Sequence, residues 1–189
     1  MILKDNYLKL SLIEVTKFGL NEKFVLLYRG SRDGFGSSSF HSKCDGYSDT
    51  ITIIQSSNMN IFGGYTHSYW DASSKEYRYD DQAFLFSLIN SKNKPILIKP
   101  LSSSQAIFVD KDHMPVFGGT FQYRSNSYTG VIDEPFSSDI MLVDNCNQNE
   151  KSYSNLGTAY DYKQTDSKIL LAGSEYFRVN EIEVYWRLP

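Results

Sequence analysis

The stretch Thr50–Tyr65, TITIIQSSNMNIFGGY, carries the pattern that decides the fold. Two runs rich in β-branched and aromatic residues, 50–54 and 60–65, flank the polar turn Ser-Ser-Asn-Met, so the stretch predicts a β-hairpin. The second run ends in Phe-Gly-Gly, and two glycines after a strand suit a bulge or a close approach of two backbones. We therefore expect Gly63 and Gly64 at a bend or a tight contact.

The same pattern continues along the chain. Two more hairpins are predicted, from residues 83–89 with 95–99 and from residues 105–109 with 115–118. The last of these repeats the Phe-Gly-Gly element at Gly118 and Gly119, which we expect at a second tight contact. The final strand, Arg178–Arg187, alternates apolar and polar residues, with one slip near Asn180 that a β-bulge can absorb. Glu181 and Glu183 then form its polar face.

Helical spacing is confined to the N-terminus, where apolar residues recur from Leu3 to Val15 and Gly19 ends the helix. A strand at 23–29 follows. Many short strands with little helix predict a mostly β (α+β) fold, an antiparallel two-sheet β-sandwich flanked by a few short helices. With no linker in the chain, we expect residues 1–189 to form a single domain. The residues expected to face the space between the sheets are Phe62, Phe84, Phe86, Phe117, Ile182 and Val184.

Composition excludes several classes of partner. The chain of 189 residues has a net charge of −3, so it lacks the basic excess that nucleic acid or an anionic membrane surface would require. No apolar run reaches transmembrane length, which argues against membrane insertion. The two cysteines lie in different surroundings, so we expect a reduced, intracellular, cytoplasmic protein. One disulfide between Cys44 and Cys146 stays open.

The segment Gly30–Gly46, GSRDGFGSSSFHSKCDG, is the densest concentration of reactive side chains. His41, Cys44 and Asp45 would supply a base, a nucleophile and an acid to a hydrolase or a redox enzyme. His41-x-x-Cys44 is also half of a zinc pair, but no second pair completes it, so we predict no metal and no cofactor.

A structural role is favoured for this segment, because catalytic groups usually come from distant segments of the chain and no hydrolase motif is present. Ser37 is expected to cap a short helix at about residues 38–44. On that helix Phe40 and Cys44 would face the core, while His41 and Lys43 would face water. We therefore assign no catalytic residues.

Arg32 and Asp33 begin the same segment. Asp33 and Gly34 form a strong turn pair, and the Arg32 guanidinium offers several donors in a planar fork. We expect both charged side chains to be partly buried and to tie the strand ending near Tyr28 to the following helix. On this interpretation, replacing Arg32 by alanine costs on the order of 1–3 kcal/mol of stability.

Nine motifs appear in one order along the chain: Leu27–Phe35, Phe40–Gly46, Ile61–Thr66, Trp70, Ala83–Leu88, Phe117–Gly119, Ser152–Gly157, Leu171–Ser174 and Glu181–Tyr185. Their order and spacing, from about Ile2 to Trp186, resemble the TLDc domain of the oxidation-resistance proteins. The motif residues, interpreted as structural, are Arg32, Asp33, Gly34, Phe35, Phe40, Cys44, Asp45, Gly63, Gly64, Trp70, Gly118, Gly119, Ser154, Asn155, Gly157, Gly173, Glu181 and Glu183.

The resemblance implies a β-sandwich flanked by a few helices and a role in protection from oxidative stress. It also implies a protein partner, because some members of that family bind the vacuolar proton pump (V-ATPase) and regulate it. No agreed catalytic mechanism belongs to the family, so no catalytic residues carry over. Two alternatives stay open: an enzyme using His41 and Cys44, and a glycan-binding sandwich. The second would use Trp70 and the tyrosines of the loop at 69–79, beside Asp71 and Asp80.

Overall fold

Two six-stranded antiparallel β-sheets form the body of the protein. The computed structural model describes residues 2–19, 21–121, 125–126, 130–131 and 135–189. Within these ranges the chain is mostly β with short helices, which confirms the predicted sandwich. The α-helices are α1 (Asn6–Thr16), α2 (Gly30–Asp33) and α3 (Ser37–Cys44), and short 3-10 turns occupy Ile2–Lys4 and Ser103–Gln105.

The first sheet has the strand order β1-β16-β2-β3-β5-β6. Its strands are β1 (Phe24–Arg29), β2 (Thr50–Ser56), β3 (Ile61–Thr66), β5 (Phe84–Ile89), β6 (Ile96–Ile98) and β16 (Val179–Arg187). The hairpins β2–β3 and β5–β6 are those predicted from the sequence. The predicted bulge at Asn180 is also confirmed, because Val179 lies opposite Ser56 while Glu181 lies opposite Gln55.

The second sheet has the order β15-β14-β13-β8-β7-β4. Its strands are β4 (Glu76–Arg78), β7 (Ile107–Val109), β8 (His113–Phe117), β13 (Ile140–Val143), β14 (Ser152–Ser154) and β15 (Tyr176–Phe177). Two-residue strands form two separate small ladders: β9 (Thr120–Phe121) with β12 (Pro135–Phe136), and β10 (Ser125–Asn126) with β11 (Gly130–Val131). The third predicted hairpin is β7–β8.

The two Phe-Gly-Gly elements meet between the sheets, as expected for tight contacts. A Cβ atom on Gly64 would lie 2.6 Å from the ring of Phe117, so only glycine allows the sheets to approach this closely here. A Cβ atom on Gly63 would collide with the carbonyl oxygen of Thr52 in the neighbouring strand β2. Gly118 has a φ of +69°, a conformation that side chains rarely adopt.

The outer face of the first sheet is covered by α1, which makes a second apolar layer. Phe86 is buried in this layer and Phe84 packs against it, so the prediction that both face the space between the sheets is wrong. Phe62, Phe117, Ile182 and Val184 do lie between the sheets. Phe84 and Phe86 do share one face of β5, as the alternation predicts. That face packs against α1 and not against the second sheet.

Helix α1 has defined ends. The Asp5 carboxylate accepts a hydrogen bond from the amide of Tyr7 (2.7 Å) and caps the first turn. The helix ends at Thr16, because Lys17 adopts a left-handed conformation and donates its amide to the carbonyl of Ile13. The predicted stop at Gly19 therefore lies beyond the end of the helix.

Candidate functional site

Helix α3 and its C-cap, Asp45, contain the three residues that sequence reasoning singled out for chemistry. Its N-cap is Gly36, and the amide of Ser37 donates to Oδ1 of Asp144 (2.8 Å), just after β13. The prediction that Ser37 caps the helix is wrong. A carboxylate from the second sheet does so instead, which also suits the positive end of the helix dipole.

Phe40 and Cys44 face the core from α3, as predicted, and both are buried. His41 is buried too, with only 7% of its surface exposed, so the prediction that it faces water is wrong. The cause is the neighbouring strand β8, which starts at His113 and lies over the imidazole. A single-helix pattern could not reveal this contact, because its partner lies 72 residues away.

The structure brings His41 and Asp45 together in a closed hydrogen-bond network. Nδ1 of His41 lies 2.7 Å from Oδ1 of Asp45, and Nε2 lies 3.0 Å from the carbonyl oxygen of His113. The second oxygen of Asp45 accepts the amide of Ala72 (2.9 Å). Both ring nitrogens thus face acceptors, and neither is placed to take a proton from Cys44. The network joins α3 to β8 and to the loop after Trp70.

The Cys44 thiol behaves as a small apolar group. The residue has no exposed surface, and burial, reinforced by the charges of Asp45 and Asp33, raises the pKa of its thiol. Cys146 is also a free, buried thiol, so the disulfide left open by the sequence is not formed. A reactive cysteine needs exposure and a positive environment, and Cys44 has neither.

Arg32 and Asp33 form a clasp at the end of β1. Nε and Nη2 of Arg32 bind the two carboxylate oxygens of Asp33, and Nη2 also donates to the carbonyl of Leu27 (2.8 Å). The amide of Arg29 donates to Asp33 (2.9 Å). The hydrogen bonds from Arg32 hold the pKa of Asp33 below its usual range.

This clasp differs from the prediction in two respects. Asp33 is partly buried as expected, but 45% of the Arg32 side chain is exposed. Its partners all lie between Leu27 and Asp33, so Arg32 ties the strand to its own turn and not to α3. The strand is tied toward α3 by Tyr28 instead, whose hydroxyl donates to the carbonyl of Gly34, between α2 and α3 (2.6 Å).

The two carboxylates of β16 hold this turn against the first sheet. Glu181 accepts the amide of Ser31 (3.0 Å), and Glu183 binds Nε of Arg29 (3.0 Å) and the hydroxyl of Tyr185 (2.8 Å). Glu183 is fully buried, so its assignment to a solvent-facing side of the strand is wrong. The alternation of the strand could not reveal that α1, β1 and α2 enclose this side of the sheet.

Sequence reasoning missed Asp139, a buried carboxylate whose pKa is raised well above its ordinary value. It is fully buried just before β13 and accepts the amides of Gly157 (2.8 Å), Thr158 (3.1 Å) and Ala159 (2.8 Å). Burial raises its pKa to about 6, against the opposing effect of these hydrogen bonds. Its position directly before an apolar strand was the available signal. Asp139 anchors a loop and has no open face toward a ligand.

These contacts account for motifs drawn from the whole length of the chain. The family model of the TLDc domain matches residues 1–187. The chain belongs to the TLDc domain family. No curated protein sequence matches it closely enough to add a relative.

Two further glycines of the TLDc motifs sit at positive φ. Gly157, in the loop held by Asp139, has a φ of +105°, and Gly173 has a φ of +83° beside Asn58. The Asn58 side chain donates to the carbonyl of Ala172 (3.0 Å), which fixes that turn against the β2–β3 hairpin. The Ser154 hydroxyl donates to the carbonyl of Lys168, and the backbone amide of Asn155 donates to the carbonyl of Asp139.

Trp70, proposed as a stacking platform for a glycan, is buried in this TLDc chain. Its Nε1 donates to Oγ1 of Thr50 (2.9 Å), and its ring packs edge-on against Phe40 and Phe117. Asp80 is also buried and accepts the amide of His67 (2.6 Å). Asp71 bonds Ser73, Ser74 and Arg78. The assignment of Trp70 to sugar stacking is therefore wrong.

The described residues contain no group of three or more His, Cys, Asp or Glu side chains arranged to hold a metal ion. No helix among them is long and apolar enough to span a bilayer. Each histidine instead pairs with an aspartate, as His41–Asp45, His67–Asp49 and His113–Asp110.

Proposed function

We propose that this chain, as a single TLDc domain, is a non-catalytic interaction module that contributes to protection from oxidative stress. The partner proposed is the vacuolar proton pump (V-ATPase), which the module would bind and regulate from the cytoplasm. The family membership supports a stress-related module, and the specific partner is the part to be tested.

The observation that carries the proposal is the fate of the reactive side chains. Internal hydrogen bonds occupy His41 and Asp45, and Cys44 is buried. Large apolar side chains lie exposed elsewhere. The exposed aromatic residues include Tyr7, Tyr47, Tyr69 and Tyr79. Tyrosine is enriched in the energetically dominant positions of protein interfaces, so this distribution favours docking over catalysis.

Binding to the purified proton pump tests the proposal directly. The domain is immobilised and the detergent-solubilised pump is passed over it, with bound pump and its ATP hydrolysis both measured. We expect saturable binding and an altered hydrolysis rate. A domain that binds no pump subunit at micromolar concentration, while retaining its native fold, would contradict the partner assignment.

Thiol labelling separates the module from a redox or hydrolytic enzyme. Because Cys44 is buried and its pKa is raised, we expect native protein to react slowly with iodoacetamide at both cysteines and rapidly once unfolded. Peptide mapping assigns each site. Fast labelling of Cys44 in the native protein would favour the enzyme instead.

A further inference from the structure

Strand β1 lies at the end of the first sheet. Among the described strands it pairs with β16 on one side only, so its other side is a sheet edge. An unpaired edge presents backbone N–H and C=O groups that can pair with another extended chain. Whether it does so depends on which of these groups are open.

The first half of β1 has an open edge. The amide of Leu188 donates to the carbonyl of Lys23 (2.9 Å), which makes this position a hydrogen-bonded pair of the β1–β16 ladder. Bonded and non-bonded positions alternate in an antiparallel ladder. Phe24 and Leu26 therefore turn their N–H and C=O groups away from β16, toward the edge.

The second half of β1 is closed by the clasp. Its carbonyl at Leu27 and its amide at Arg29 bond Arg32 and Asp33, as described above. A strand added at this edge would run beside Phe24–Leu26 and stop at the clasp. The clasp thus sets where an added strand would end.

An apolar surface lies beside the open half. Val25 sits directly opposite Trp186 in the ladder, and the Tyr47 ring packs against Trp186 with ring centres 5.3 Å apart. Val25 is 43% exposed and Tyr47 37% exposed. We call these three residues the edge patch. Trp and Tyr in such a position are the usual anchors of a protein interface.

The exposed charged side chains in the segments that carry Val25 and Tyr47 are basic. Among residues 21–34 and 42–47, the exposed charged side chains are Lys23, Arg32 and Lys43. The carboxylates of the same segments are less exposed, and each faces a basic group: Glu22 with Arg187, Asp33 with Arg32 and Asp45 with His41. Because the whole chain carries a charge of −3, this local excess marks the edge as a place for an acidic partner.

We propose that the open edge of β1 and the edge patch bind an extended acidic segment of a protein partner, which adds to the first sheet as a further strand. Backbone hydrogen bonds to Phe24 and Leu26 would supply affinity, and an apolar side chain on the edge patch would supply register. Lys23 and Lys43 would select acidic flanking residues. This inference rests on the proposed function as a docking module and names its binding surface.

The test uses a fluorescein-labelled decapeptide of alternating valine and glutamate, titrated with the full chain in a polarisation assay. We expect saturable binding that falls at least tenfold for the double variant Val25→Thr, Tyr47→Ser. The matched control is Tyr176→Ser, which removes an exposed tyrosine from the far edge of the second sheet and should leave binding unchanged. Melting temperatures confirm that each variant is folded.

Two peptide changes probe the mode of binding. N-methylation of alternate residues should abolish binding in one set and spare it in the other, because only one edge of an added strand faces β1. A valine–lysine peptide should bind wild type weakly and recover affinity for the variant Lys23→Glu, Lys43→Glu.

Several outcomes would overturn this inference. They are absence of peptide binding by folded wild type, equal loss in both methylated sets, and a concentration-dependent dimer that Val25→Thr dissolves, which would make a second copy the occupant. The peptide assay contains no proton pump. Peptide binding without pump binding would contradict the proposed partner but support the binding surface. Pump binding that the double variant does not weaken would support the partner but contradict this surface.

Discussion

Asp33 and Asp139 both accept backbone amides, yet they sit in opposite environments. Asp33 lies at the edge of the first sheet and shares its charge with a half-exposed arginine, so its pKa is lowered. Asp139 lies buried beside the second sheet with three amides and no cation among its hydrogen-bond partners, and burial raises its pKa to about 6. The comparison shows that the same residue type can favour the charged form in one region and the neutral form in another.

The two aspartates therefore make opposite contributions to stability as pH changes. The pKa of Asp33 is depressed, so its contribution is present above the unfolded value of about 3.9 and is lost as pH falls through the folded value. The pKa of Asp139 is raised, so its contribution is full below about 3.9 and is lost as pH rises through about 6. Of these two aspartates, only Asp139 titrates between pH 4 and 7.

Asp139→Ala should have the largest effect. It leaves three amides, at residues 157–159, without their acceptor, and we expect a loss on the order of 3 kcal/mol at pH 5. The loss should be smaller at pH 8, because the charged form of wild type is penalised by burial there. Urea denaturation at both pH values measures the difference.

The control for this variant is Asp161→Ala, which removes an exposed carboxylate from the same part of the chain. Its stability should match wild type at both pH values. An Asp139→Ala loss that is larger at pH 8 than at pH 5 would reverse the assigned direction of the pKa shift.

Gly118→Ala should have the next largest effect in the same buried region. Gly118 has a φ of +69°, and a Cβ atom there would collide with a carboxylate oxygen of Asp139. We expect a loss of about 2 kcal/mol, from backbone strain and from displacement of that carboxylate. The loss is measured by urea denaturation.

Gly46→Ala is the matched control, because Gly46 has a φ of +81° and no atom within 4 Å of the added Cβ. It isolates backbone strain, at about 1 kcal/mol. Equal losses of stability in the two variants would mean that the Asp139 carboxylate moves away from the added Cβ atom at no energetic cost.

The contrast between these regions also explains what the sequence could predict. The hairpins, the bulge at Asn180 and the buried Phe40 and Cys44 follow from local periodicity, which acts within one strand or turn. Asp139 and His41 depend on partners 18 to 20 and 72 residues away, respectively. Local patterns contain no information about such contacts.

The same reasoning applies to which faces are buried. Alternation correctly grouped Glu181 with Glu183, and Phe84 with Phe86, on their strands. It could not show that α1 covers the outer face of the first sheet or that α2 lies against β16. A group that looks solvent-facing from its strand alone, such as Glu183, becomes fully buried for that reason.

Arg32→Ala should have the smallest effect. The loss of 1–3 kcal/mol expected for a buried arginine no longer applies, because nearly half of this side chain is exposed and water can replace its hydrogen bonds. Exposed ion pairs contribute about 0.2–1 kcal/mol, so we expect a loss within that range, and a smaller one in 1 M NaCl. Arg32→Lys keeps the charge but loses the bidentate geometry, and should lie between alanine and wild type. Denaturation at low and high salt measures all three proteins. A salt-independent loss above about 2 kcal/mol would show that the clasp is desolvated, and that the two aspartates differ less than their surroundings indicate.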